Sequence, residues 1–429
     1  MTIFMICGSS KIDKKPIFLS VIFMFVVIYI ISINLNFGAY AEQKGIFQGI
    51  SLTGMLETQL GVQNLHDPGI TEESANCNLG MDWNSYNRDS ALNYGFQLKL
   101  NANTLQAKNN YRSLYQENLI FVKGKKWKLV LGNGKGIASL MQINASSIAR
   151  ASGGISSDAT YWIQQMLVPD FSLYIPQIVF TPNLWSNQVG YGLQRARTSK
   201  FTYFLSVPNN NGILHLGLSY IPNHNTRNKE KTGSFISAFD PRRAFNQVLD
   251  HEYNRKYKNI VQLGLSYATQ ISGTSLKFGF TGEYGQPERP YDKSSEQKLS
   301  ALIGHEVGFN LSYMGFSIGS SYGDLHNSGL IAKKLDLSHT NNYWTLGASY
   351  VISHFGISVT YIKSYNNVFE ESKPNKITFS NLVLGVDYKI NKGLLTYLEI
   401  SLPQIKSDKK FFLNDKPILG VLCGIKIKF

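Results

Sequence analysis

The chain has 429 residues, 43% of them hydrophobic and only 16% charged, with a formal net charge of +14 at pH 7. That excess is spread thinly, without a dense Lys/Arg block, which argues against a nucleic-acid groove. Cys7, Cys77 and Cys423 have neither metal-ligand nor disulfide-framework spacing, so stability must come from a large core or from a membrane.

The amino terminus comes first. Lys11, Lys14 and Lys15 precede an apolar run from Ile17 to Ile33, and Ala39-Tyr40-Ala41 puts small residues where a signal peptidase reads. The pattern predicts a secretory signal over 1–41, cut before Glu42. An uncleaved anchor helix is the alternative, since the run is long enough to span a membrane. Cleavage removes three lysines and one aspartate and leaves the mature chain at +12. Cys7 lies before the apolar run and is no acylation site. No later run is long enough for a membrane helix.

From there, period-two alternation dominates. In Tyr94–Leu100, the residues Tyr94, Phe96, Leu98 and Leu100 share one face, and Gly95, Gln97 and Lys99 share the other. The pattern returns at 127–131, 261–267 and 276–280, with Leu, Phe and Tyr opposite Gly, Ser, Thr, Gln and Lys. Alternating segments of this length are the signature of a transmembrane β-barrel. The predicted strands are 46–60, 76–87, 94–104, 114–123, 126–132, 196–207, 212–222, 258–268, 274–284, 302–313, 315–322, 341–352, 355–364, 377–389, 393–402 and 418–429. That is an all-β, antiparallel barrel of about sixteen strands over 42–429. Short connections at 88–93, 124–125, 208–211, 269–273, 353–354 and 390–392 alternate with long ones at 61–75, 133–195, 223–257, 285–301, 323–340, 365–376 and 403–417. Periplasmic turns and external loops alternate in this way.

Tyr267, Tyr313, Tyr350 and Tyr388 each fall on the apolar face just before a short turn. They predict a ring of phenols at one membrane interface. The chain ends GVLCGIKIKF, with Val421, Cys423, Ile425, Ile427 and Phe429 facing lipid and Lys426 and Lys428 facing the lumen. A closed barrel needs its last strand ordered to the end, because an open edge is not tolerated in lipid. This ending resembles that of the outer-membrane barrel family, where the terminal phenylalanine is also the signal read by the barrel-assembly machinery. The resemblance assigns that role to Phe429.

The connection over 133–195 is far longer than the usual loop, and such length is uncommon without a function. Its start, Leu131-Gly-Asn-Gly-Lys-Gly136, and the stretch NASSIARASGGISSDATYW at 144–162 resemble the constriction loop of Gram-negative general porins. FVKGKKWKLVLGN before it and TSKFTYFLSVPNNNGILHLGLSY after it resemble that family's flanking hairpins. The resemblance implies a trimer whose third loop folds into the lumen, with a field between loop acids and wall bases. The candidate constriction residues are Arg150, Asp158 and Asp170 on the loop, and Lys99, Lys128 and Lys200 on neighbouring lumen faces. The loop departs from the family in being acid-poor and carrying Arg150, which predicts a positive narrowest zone with Arg150 opposite Lys99 and Lys128. Plainer roles stand beside these: Lys99 and Lys128 solvating a wide lumen, Arg150 tying the loop to its own carbonyls, and Asp158 forming a turn.

Motifs for chemistry fall short. Gly132-Asn-Gly-Lys-Gly136 lacks the spacing of a phosphate loop, and His251-Glu252 and His305-Glu306 lack a second histidine for zinc. There is no Gly-x-Ser-x-Gly elbow. Basic residues gathered in the connection after Tyr220, among them Arg242 and Arg243, read as a solvated external loop. The expected protein is an outer-membrane porin without catalytic residue, metal or cofactor, passing small hydrophilic solutes and ions. Its expected partners are membrane lipid, two further copies and the assembly machinery, not nucleic acid. A solute-selective channel and a surface antigen or adhesin without an open pore remain alternatives.

Overall fold

The computed structural model describes residues 50–65, 67–87, 92–103, 115–157, 179–187, 189–190, 193–194, 199–209, 212–223, 257–287, 300–328, 341–370, 373–407 and 417–429. The signal segment expected over 1–41 lies outside the described residues. The strands run β1 (Ile50–Leu65), β2 (Asp67–Asn87), β3 (Leu92–Asn103), β4 (Tyr115–Lys123), β5 (Trp127–Asn133), β6 (Val189–Gly190), β7 (Leu193–Gln194), β8 (Ser199–Asn209), β9 (Gly212–Asn223), β10 (Tyr257–Ile271), β11 (Thr274–Pro287), β12 (Leu302–Tyr313), β13 (Phe316–His326), β14 (Asn341–Ile352), β15 (Phe355–Glu370), β16 (Lys373–Asn391), β17 (Leu394–Ser407) and β18 (Gly420–Lys428). All but β6 and β7 form one closed antiparallel barrel of sixteen strands. The two short strands pair with each other within the long connection.

Alternation sorts the side chains as lipid and water require. Leu263, Leu265, Phe278, Phe280, Val307 and Phe309 are exposed on the outer face. Gln262, Thr281, Glu306, Ser321, Thr345 and Thr360 share the inner face and are buried. Tyr313, Tyr350 and Tyr388 stand exposed on the outer face beside the short turns, with Tyr267 half-buried at the same level. Tight turns hold the short end together. Ser272-Gly273 and Met314-Gly315 have φ of 48°, 82°, 45° and 84°, the doubly left-handed geometry that suits the twist of a two-residue hairpin.

The seam explains the carboxy terminus. β1 pairs with β18 from Met55↔Lys428 to Gln63↔Gly420. Phe429 N donates to Gly54 O at 3.0 Å and Gly54 N to Phe429 O at 2.9 Å. A Cβ on Gly54 would collide with the Phe429 ring, so this glycine leaves the ring its place. Every seam amide that found no partner would cost several kcal/mol in hydrocarbon.

The strands outrun their predicted ends on the long-loop side. Residues 61–75 were expected as a loop, yet β1 continues to Leu65 and β2 begins at Asp67. Likewise β15 and β16 leave only 371–372 between them, where a loop over 365–376 was expected. Hydrogen-bonded ladders extend beyond the lipid band, where an apolar outer face is no longer needed and alternation stops marking them.

Candidate pore and constriction

Described parts of the connection between β5 and β8 lie inside the barrel. Two of these stretches, 134–157 and 179–187, follow the inner wall from β8 round to β17. A short helix α1 (Ile137–Leu140) opens the connection. Ile137 N donates to Ser219 Oγ of β9 at 2.9 Å, and Ala138 N to Gln262 Oε1 of β10 at 3.4 Å. Ala145 N then reaches Thr345 Oγ1 of β14, Arg150 N reaches Ser358 Oγ of β15, and Ile155 N reaches Thr360 Oγ1 of β15.

A band of glycines seats this loop. Gly217 stands opposite Gly264, Gly279 opposite Gly308, and Gly319 opposite Gly347 across successive strand pairs. A Cβ on Gly217 or Gly264 would meet Ile137, one on Gly308 would meet the Ile143 carbonyl, and one on Gly347 would lie 3.0 Å from Ala145 Cβ. The strands therefore offer bare backbone where the loop crosses them.

Wall carboxylates tie the loop down. Asp387 accepts from Arg150 Nη2 at 2.8 Å and from Ala151 N at 3.2 Å. Glu399 accepts from Gly154 N at 3.1 Å and from the Ser157 hydroxyl. Glu306 accepts from Gln142 Nε2 at 2.6 Å, and Glu283 accepts from the Ser186 amide and hydroxyl. All four acids are buried, at 5% exposure or less. The charge-assisted bond between Arg150 and Asp387 contributes about 1.5–3 kcal/mol, and leaving either charge buried without the other would cost more.

Farther toward the long-loop end, the same side of the lumen is apolar. Val179, Leu184 and Trp185 from the loop form one buried cluster with Ile221, Tyr257, Ile260, Leu302, Leu325 and Tyr343. Trp185 meets Tyr257 edge-on at 4.8 Å, and Phe180 meets Phe379 in the same way at 4.9 Å. Val179 N also donates to Asn366 Oδ1 at 2.9 Å. The loop is packed like a core element on this wall.

The wall of β3, β4, β5 and β8 differs. Lys99, Lys123, Lys125, Lys126, Lys128 and Lys135 line a cavity of about 560 Å³ there, with Glu117 the acid among its lining residues. Lys99 pairs with Glu117 at 2.6 Å. Lys128 stands opposite Lys123 across the β4–β5 ladder and holds its ammonium 4.9 Å from the centre of the Phe121 ring.

The structure separates the residues that sequence grouped together. Lys99 and Lys128 face the lumen on the bare wall. Lys200, expected at the constriction, is 5% exposed and donates to Gly134 O at 2.5 Å, so it fastens the root of the loop. Arg150, expected opposite Lys99 and Lys128, is instead paired with Asp387 of β16, because a buried carboxylate there captures its guanidinium. Its charge is thus neutralised at the wall. Asp158 and Asp170 lie outside the described residues. Lys426 pairs with Glu57 at 3.1 Å across the seam. His305 and Glu306 point to opposite faces of β12, and His251-Glu252 lies outside the described residues. Strand alternation puts Asp387 and Glu399 on lumen faces but does not show that the loop covers them. The signal was the paired inward glycines, which mark a wall crossed by something else.

A family profile described as Gram-negative porin matches residues 38–404. The chain is 27% identical over 352 residues to an uncharacterized protein of Rickettsia typhi, covering 73% of this chain and 76% of that protein. It is 26% identical over 353 residues to an uncharacterized protein of Rickettsia bellii, with the same shares. Among solved structures, Salmonella typhi OmpF in complex with daunomycin is similar with a TM-score of 0.57 at 10% identity, covering 89% of this chain and 97% of that one. The anion-selective porin from Comamonas acidovorans reaches 0.53 at 12% identity, covering 89% and 99%. At these identities the likeness is one of fold.

Proposed function

The chain belongs to the Gram-negative porin family, and from that premise we propose that it passes small hydrophilic solutes and ions by passive diffusion, with a preference for anions. One observation carries the preference. The acids of the loop-covered wall are buried under loop amides and hydroxyls, whereas among the described residues no loop side chain pairs with the lysines of the β3–β5 wall. Field lines concentrate where low-dielectric walls close in, so the uncovered charges set the potential that a passing ion meets. Arg150 contributes by holding the loop in place, since its charge is matched by Asp387.

The mature protein begins at Glu42, sits in the outer membrane as a homotrimer, and presents Phe429 to the assembly machinery. The signal-like amino terminus, the family and the paired terminal strand support these assignments. A second reading, a surface barrel without significant conductance, draws on the apolar packing of 179–187 inside the lumen. Planar-bilayer recording on refolded 42–429 separates the two: stepwise chloride-carrying channels support the pore, and a silent folded barrel supports the surface protein.

A further inference from the structure

The thin spread of positive charge along the sequence has one exception: four of the six residues from 123 to 128 are lysines, and they surround the β4–β5 turn at the short-turn end of the barrel. Lys123 and Lys128 oppose each other directly, an arrangement that destabilises a sheet unless something offsets it. Lys125 and Lys126 are exposed in the turn, and Lys135 reaches the same cavity from the root of the loop. Among the described residues, Lys99 is the one lysine of this cavity with a carboxylate partner. Asp82, on β2 opposite Gln97, is the other inward acid nearby. This wall concentrates like charge around a cavity of about 560 Å³.

We propose that this cavity is a saturable binding site for small polyphosphorylated anions on their way through the pore. The inference rests on the open-pore reading above and names the solute class that the lysine wall favours. A chain of two or three phosphates can meet several ammonium groups at once, and each added charge pair contributes Coulomb energy that a monovalent ion cannot collect. Lysine binds phosphate oxygens as a point charge with three donors on a flexible stem. The flexible stems of Lys123, Lys125 and Lys126 let the group follow the anion. Salt weakens the site as the Debye length falls from about 30 Å at 0.01 M to about 10 Å at 0.1 M.

The test uses inorganic tripolyphosphate and the mature barrel. Binding is followed by calorimetry in detergent, and block of chloride current is followed in planar bilayers. Wild type should bind and be blocked saturably, and the concentration for half-block should rise about tenfold or more in Lys125→Gln/Lys126→Gln. Lys135→Gln, at the loop root, should raise it less. Lys277→Gln removes an inward lysine of β11 on the other wall and should leave it unchanged. Equal half-block in wild type and the turn double variant overturns the site. So does orthophosphate that binds as tightly as tripolyphosphate. A conducting barrel without saturable binding removes the site and leaves the pore, whereas saturable binding to a barrel without current removes the pore reading and leaves the site.

Discussion

The two halves of the inner wall use the same alternation to opposite ends. From β9 to β17 the inward positions include glycines, small hydroxyl residues, an apolar cluster and four buried carboxylates, and described parts of the loop lie across them. From β3 to β5 they include Lys99, paired with Glu117, and Lys123 and Lys128, and among the described residues of the loop only its root lies beside them. One wall is a seat and the other is a lining. The difference teaches that the net charge of lumen-facing residues is a poor guide to the field in a pore, because covered charges are already spent on holding the loop.

The contrast can be broken most severely at the seat. Gly308→Val puts side-chain atoms where the Ile143 carbonyl lies. Overpacking of this kind costs about 1–3 kcal/mol, and here it pushes the loop from the wall. Single-channel conductance should rise and the unfolding temperature of the barrel should fall. The next largest effect belongs to the lining. Lys123→Glu with Lys128→Glu should move the reversal potential under a KCl gradient strongly toward cations, and Arg150→Gln should move it much less. Equal shifts would place Arg150 in the lining after all.

Smaller effects sharpen the same contrast. Glu399→Gln replaces an acceptor of two loop donors with a group that carries its own N–H. We expect a loss of about 1.5–3 kcal/mol from the loop's attachment, read as noisier open-channel current and faster proteolysis near Ser157. Deleting Phe429 removes two seam hydrogen bonds and touches neither wall. It should lower the yield of heat-modifiable barrel in cells while the channels that do form keep their selectivity. Sequencing the mature amino terminus should return Glu42; recovery of residues before Lys15 would restore the uncleaved anchor.

The barrel was legible because lipid imposes a rule on every second residue. Predicted and observed limits coincide for β12 at 302–313 and β14 at 341–352, where alternation and turn chemistry agree. It faded at the long-loop ends of β2 and β16, since pairing above the membrane needs no apolar face. The site was half legible. Alternation told which face Lys200 and Asp387 occupy, but not that the loop would cover that face. Gly217, Gly264, Gly279 and Gly308 carried the missing information, and only strand register reveals that they form facing pairs. Glycine on one strand reads as a packing detail; glycines opposite each other on three pairs of strands read as the footprint of the loop.

The most direct measurement is the zero-current potential of refolded wild-type 42–429 in a planar bilayer between dilute and concentrated KCl. A lining of uncovered lysines predicts stepwise channels whose reversal potential has the sign of chloride preference and declines toward zero as both salt concentrations are raised. Channels that prefer potassium, or a folded barrel that carries no current, would contradict the account.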